Sequence, residues 1–268
     1  MYPGSDNPVK HGIVPRSVFL LLSGLIIIPV YFLIQIFFIG SFLIGSIDAY
    51  HYYSNFLEIG IALFCMCCCL YAYRTWSERI ILLLAAFSFL GYALSNTFWY
   101  LYTVSIGRDT VFFNVSQMGF LGFMLFFIVA FWFEFPKKPC PRSAQIALIG
   151  LFVFITLMII STMGINAVTA LLWIHILFLI LFINSALEHG VYQYSLLWAG
   201  IVVWSFPFLA SALRDTFIVT HPGVAVIALP MANLLTFNEF LSIDGPLVVL
   251  SFLLIQMGIF TYLNSPRD

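Results

Sequence analysis

Seven residues carry groups that could bind a ligand from within an otherwise apolar chain: Glu58, Tyr92, Asn96, Trp99, Asn114, Gln117 and Arg214. Ser88, Tyr92, Asn96 and Trp99 recur at i, i+4, i+8 and i+11, which lays them along one stripe of a helix. Asn114 and Gln117, three apart, share a face for the same reason. A carboxylate or amide surrounded by hydrocarbon is costly unless paired, so these groups are expected to turn toward one another or toward a hydrated cavity. That arrangement predicts an outward-facing polar pocket for a small-molecule ligand, with Glu58 as its ionisable centre and Arg214 as a counter-ion. Two plainer readings stand beside it. Asn96, Asn114 and Gln117 could be interhelical hydrogen-bond glue worth about 0.6 kcal/mol each, with Gly91, Ser95, Gly119 and Gly122 letting helices approach. Glu58 could equally sit at the headgroup level. Trp99, Tyr100, Tyr102, Tyr50, Tyr52 and Tyr53 crowd the same boundary, where an interfacial aromatic belt explains them better than ligand stacking does.

Other chemistry finds no support. His175 is the one histidine expected near mid-membrane, so a bis-histidine haem lacks its second ligand. A retinal Schiff base needs a lysine inside a span, whereas Lys10, Lys137 and Lys138 all fall in segments expected on the cytoplasmic side. Of Cys65, Cys67, Cys68 and Cys69, only pairs three or four apart can point the same way, and two thiolates complete neither a zinc nor an iron–sulfur site. Cys140 and His189 add too little to change that, and the cysteines are read as small apolar filler. Glu188-His189 and Arg214-Asp215 are adjacent pairs that helix geometry points apart, so neither forms an acid–base dyad. No HExxH, phosphate-cradling glycine loop or GxSxG elbow is present. No catalytic residue, metal or cofactor is assigned, and enzymatic activity is unsupported.

The elements that position these residues follow from composition. Of 268 residues 63% are hydrophobic and 8% charged, a surface that water could not solvate but lipid can. The apolar stretches run continuously for about twenty residues, which suits helices and not alternating barrel strands. The expected fold is therefore all-α: a polytopic transmembrane helix bundle of eight spans, near residues 17–45, 54–73, 79–104, 112–135, 143–164, 167–187, 194–213 and 245–263. The first run is too long for a removable signal peptide and carries Pro29 as a kink. Lys10, Arg16, Arg74, Arg79, Lys137, Lys138, Arg142 and Arg267 fall on one side, Arg108 and Arg214 on the other. Eight against two places the first side, with both termini, in the cytoplasm. Residues 223–241, broken by Pro230, Asn233, Asn238 and Glu239, read as re-entrant or interfacial; a ninth span there would put the carboxyl terminus outside. The domain organisation is a cytoplasmic segment 1–16, one membrane domain 17–263 and a tail 264–268. Ten scattered basic residues make no nucleic-acid face.

Residues 79–135 hold RIILLLAAFSFLGYALSNTFWYLYTVSIG and, after a short loop, VFFNVSQMGFLGFMLFFIVAFWFEF. This pair resembles the membrane-embedded multi-helix sensory input domains of prokaryotic signalling proteins. In that family an aromatic-ended helix precedes one that opens on an acidic or amide residue and continues through a glycine-bearing aromatic stretch. Trp99, Asn114 and Gly119 to Gly122 occupy those positions here. Asn114 stands where an aspartate is common, and no kinase, cyclase or phosphodiesterase domain follows Leu263. The resemblance implies a receptor-like module in the plasma membrane that signals through a separate membrane protein partner or a second copy. A small-solute transporter is the first alternative; it would need polar groups through the inner half, where Gln145, His175, Asn184 and Gln256 are available. An accessory subunit of a larger membrane complex is the second, and 30 phenylalanines suit it equally.

Overall fold

A computed structural model describes residues 47–74, 79–106, 115–140, 142–220 and 244–264. Side chains at 47–55, 102–106, 115–117, 210, 211, 214–220, 244 and 246 are outside that description. The expected first span at 17–45, Asn114 and the broken segment 223–241 lie outside the described residues altogether, as do the side chains of Gln117 and Arg214.

Seven α-helices occur among the described residues: α1 (Ile47–Tyr73), α2 (Ile80–Ile106), α3 (Val115–Glu134), α4 (Arg142–Met163), α5 (Ala167–Glu188), α6 (Ser195–Thr220) and α7 (Asp244–Asn264). A short 3-10 turn, Val191–Gln193, joins α5 to α6. α1, α2, α4, α5 and α7 are long and apolar enough to cross a bilayer, and α3 and α6 hold shorter apolar stretches. The described residues form helices and no strands, and the chain is a multi-pass membrane protein. Helix ends follow the expected breaks to within a few residues except at two places. α1 begins at Ile47, seven residues early, and α6 runs through Arg214-Asp215 to Thr220. Charged residues end an apolar run without ending a helix, because Arg and Asp both tolerate helical dihedrals.

Turn chemistry sets the packing order. Asn166 caps α5 through a reciprocal box: Thr169 N donates to Asn166 Oδ1, and Asn166 N donates to Thr169 Oγ1, both at 2.9 Å. Gly164 and Gly190 supply the positive φ angles of 70° and 67° that the turns before and after α5 need. The main packed pairs are α1 with α2, α2 with α3, and α6 with α7; α5 bridges α3 and α6, and α7 closes against α1. α4 leans on α5 and is the least enclosed helix.

Aromatic rings fill the middle. Phe89, Phe123, Phe127, Phe252, Phe182, Phe131 and Trp204 are buried, with Phe123 stacked on Trp204 at 4.6 Å and Phe131 on Phe182 at 5.9 Å. Glycines admit the closest helix contacts. A Cβ on Gly119 would stand 2.5 Å from the Gly91 carbonyl oxygen, so α2 and α3 touch there. Gly91 itself has ordinary clearance and a Cβ on Gly122 would meet nothing within 4 Å, so of the proposed small-residue contact Gly119 carries the crowding, against Ser95, and Gly122 none. Gly258 on α7, against Leu197, and Gly200 on α6, against Ile255 and Ser251, admit a second close approach that spacing did not single out.

Candidate functional site

α1 ends beside Arg74 and α2 begins beside Arg79, and the two helices pack together, so a position sixteen residues before Arg74 lies opposite one sixteen residues after Arg79. Glu58 therefore meets the stretch around Ser95, about 24 Å from those helix ends at 1.5 Å per residue, near the far boundary of the hydrocarbon. Side-chain geometry agrees. Tyr92 Oη donates to Glu58 Oε2 at 2.6 Å, and Asn96 Nδ2 donates to the same oxygen at 3.3 Å. Tyr92 and Asn96 are four apart and both buried, which is why one carboxylate on α1 receives both.

Rings from two helices, α3 and α7, hold the Tyr92 phenol in place. It contacts Phe120 at 5.2 Å, Phe123 at 6.0 Å and Phe252 at 4.7 Å, each edge to face. Phe56 and Tyr100 form a further edge-to-face pair at 5.1 Å across α1 and α2 beside the cluster. Three of the seven expected site residues, Glu58, Tyr92 and Asn96, are thus brought together. Trp99 continues on the same helix, half-buried. Ser88, on the same stripe, donates to the Leu84 carbonyl of its own helix instead. Asn114 and the side chains of Gln117 and Arg214 fall outside the described residues.

At the opposite end a second polar cluster gathers residues that spacing did not connect. Arg79 at the start of α2 pairs with Glu134 at the end of α3, and Tyr262 Oη on α7 donates to Glu134 Oε1 at 3.0 Å. The Arg79 guanidinium lies over the Tyr262 ring, 5.8 Å from its centre. Next to it, Asn184 Nδ2 donates to Glu188 Oε1 at 2.9 Å and Lys137 Nζ stands 3.9 Å from Glu188 Oε2. His189 Nδ1 donates to the Phe135 carbonyl at 2.8 Å, and Lys138 Nζ to Gln193 Oε1 at 2.5 Å. Glu188 and His189 do point apart, as expected, each to a different partner. Burial, and then the nearby Glu188 carboxylate, raise the Cys140 thiol above its ordinary range. The signal missed was a charge at a helix end facing a charge at another: Arg79 opens one span and Glu134 closes the next.

Every basic side chain that is described, Arg74, Arg79, Lys137, Lys138 and Arg142, belongs to this end, while Glu58 marks the other. Between the two, Cys65 and Cys69 face α7, where Cys69 Sγ donates to Gln256 Oε1 at 3.2 Å and Cys65 Sγ approaches the Phe252 carbonyl at 4.0 Å. These two are donors to a neighbouring helix as well as filler. His175 is buried and bonds through Nδ1 to Leu171 O of its own helix at 2.8 Å. No three His, Cys, Asp or Glu side chains gather as a metal site among the described residues. Comparison with known proteins gives no match to a family model, to a curated protein or to a solved structure.

Proposed function

We propose that the chain is a receptor-like, ligand-binding membrane module whose recognition centre is the Glu58 carboxylate with Tyr92 and Asn96. One observation carries the reading: three polar side chains from two helices meet at one carboxylate oxygen inside an apolar bundle. A carboxylate beside a phenol and an amide selects hydrogen-bond donors and cations over anions. The charge asymmetry supports an outward site, since basic segments stay in the cytoplasm and Glu58 is at the other end. On that reading the bundle has eight spans in a plasma membrane, with both termini inside. The likeness of residues 79–135 to sensory input domains gives the same assignment, with the signal handed to a membrane partner or a second copy.

Transport is favoured less, because the route from Glu58 toward the basic end runs through the packed rings of Phe89, Phe123, Phe127 and Phe252. A thermal-shift screen of amines, amino acids and neutral amides against the purified full chain tests the proposal. Compounds that stabilise the wild type should lose their effect in Glu58→Gln and Asn96→Leu, both of which still insert. Equal stabilisation of all three proteins would refute it, and solute flux in proteoliposomes would turn it toward transport.

A further inference from the structure

The basic end is built at the mouth between α3 and α4. A seven-residue connection holding Pro136, Pro139 and Pro141 joins the two helices, yet α4 packs on α5 and makes no comparable contact with α3. The two helices are therefore tied at one end, and each packs on α5. Apolar side chains stay exposed on both: Trp132 and Phe133 in the last turn of α3, Ile146 and Ile149 in the first two turns of α4. Cations sit above them at the same end. Lys137 is 76% exposed and Arg142 is exposed at the first residue of α4.

We infer that this mouth binds an anionic glycerophospholipid, with its phosphate between Lys137 and Arg142 and its acyl chains against the exposed faces of α3 and α4. Charge complementarity selects the occupant. A phosphodiester anchored at the hydrocarbon boundary meets two cations at its own level, whereas a zwitterionic headgroup brings its own cation against them. Glu188 answers one of the charges only loosely, since its 3.9 Å approach to Lys137 leaves that ammonium largely in solvent. Lys138 is otherwise engaged, with its head on Gln193 and its stem over Gly190. Arg79 is closed into its pair with Glu134. The lipid would lie against α4, the least enclosed helix, and so help hold it to the bundle.

Native mass spectrometry of the full chain, released from nanodiscs of equal phosphatidylglycerol and phosphatidylcholine, tests the site. A cation near the membrane surface enriches an anionic lipid about fivefold, so with two cations retained phosphatidylglycerol should exceed phosphatidylcholine by about 25-fold. Lys137→Gln and Arg142→Gln should each cut the excess several-fold, and the double variant should bring it near parity. Both side chains are exposed, so folding is unaffected. Arg74→Gln removes one charge from the same end on the α1–α2 hairpin and should leave the excess unchanged. Absence of an excess in the wild type, its persistence in the double variant, or an equal loss in Arg74→Gln would each overturn the proposal.

Discussion

Tyr92→Phe removes one hydrogen bond and almost nothing else. The ring stays, and with it the contacts to Phe120, Phe123 and Phe252, so lost packing does not enter the measurement. What disappears is a 2.6 Å bond to the Glu58 carboxylate. A neutral hydroxyl donating to a charged acceptor contributes about 1.5–3 kcal/mol in soluble proteins, while interhelical bonds in membranes average about 0.6 and reach about 1.7 kcal/mol. The geometry is short, so the upper membrane value applies: about 1.5 kcal/mol. Asn96→Leu, at 3.3 Å, should cost less through that bond. The assay is reversible unfolding in mixed micelles, read as a double-mutant cycle between Tyr92→Phe and Glu58→Gln. A coupling of about 1 kcal/mol or more is expected, because the amide accepts a weaker bond than the carboxylate. Coupling below about 0.3 kcal/mol would show that the hydroxyl and the carboxyl do not depend on one another, and the convergence would lose its energetic meaning.

Gly119→Ala should destabilise the bundle by about 1–3 kcal/mol, since its Cβ would overlap Ser95 and the Gly91 carbonyl, whereas Gly122→Ala should be neutral or slightly stabilising; parallel melts in detergent distinguish them. Breaking the Arg79–Glu134 pair from either side should cost about 3–5 kcal/mol, because side-chain exposures of 17% and 6% leave the surviving charge largely desolvated; thermal unfolding of Arg79→Gln and Glu134→Gln checks this, and a double variant less damaged than either single one is expected. Modification of Cys140 by a water-soluble maleimide should be slow near neutral pH and accelerate only above the ordinary thiol range, since the raised thiol holds its proton longer. Glu188→Gln should speed that reaction modestly by removing the second cause of the shift, while desolvation, the larger one, remains; stopped-flow rates across pH give the profile.

The helices and the Glu58 cluster were legible because each rests on a local rule. Apolar runs of span length mark the helices, and the four-residue interval between Tyr92 and Asn96 puts both on one side of α2. The antiparallel register then follows from one short turn. The basic-end cluster was not legible, since Glu134 and Tyr262 are separated by 128 positions and nothing local to either says that α3 and α7 end side by side. Glycine contacts behaved likewise. Gly119 and Gly122 look equivalent on paper, three apart in one aromatic stretch and only about 60° apart around the helix, but Gly119 alone falls where Ser95 and the Gly91 carbonyl come close. Cys69 was readable as filler and became a donor only because Gln256 arrives from another helix.

The two polar clusters lie toward opposite ends of the bundle and are built alike. Each has a carboxylate accepting from a tyrosine hydroxyl on a different helix: Glu58 from Tyr92, Glu134 from Tyr262. α2 takes part in both, through Tyr92 and Asn96 at one end and Arg79 at the other. The rings between them, Phe89 against Phe252 and Phe123 against Trp204, connect α2 to α7, α3 and α6 without a polar gap. A ligand that competed for the Glu58 carboxylate would release Tyr92, and Tyr92 touches Phe252 at 4.7 Å on the helix that carries Tyr262. Close-packed interiors deform little, so a displacement of that ring must be passed on or resisted. α7 is held by Tyr92 near its middle, at Phe252, and by Glu134 near its carboxyl end, at Tyr262.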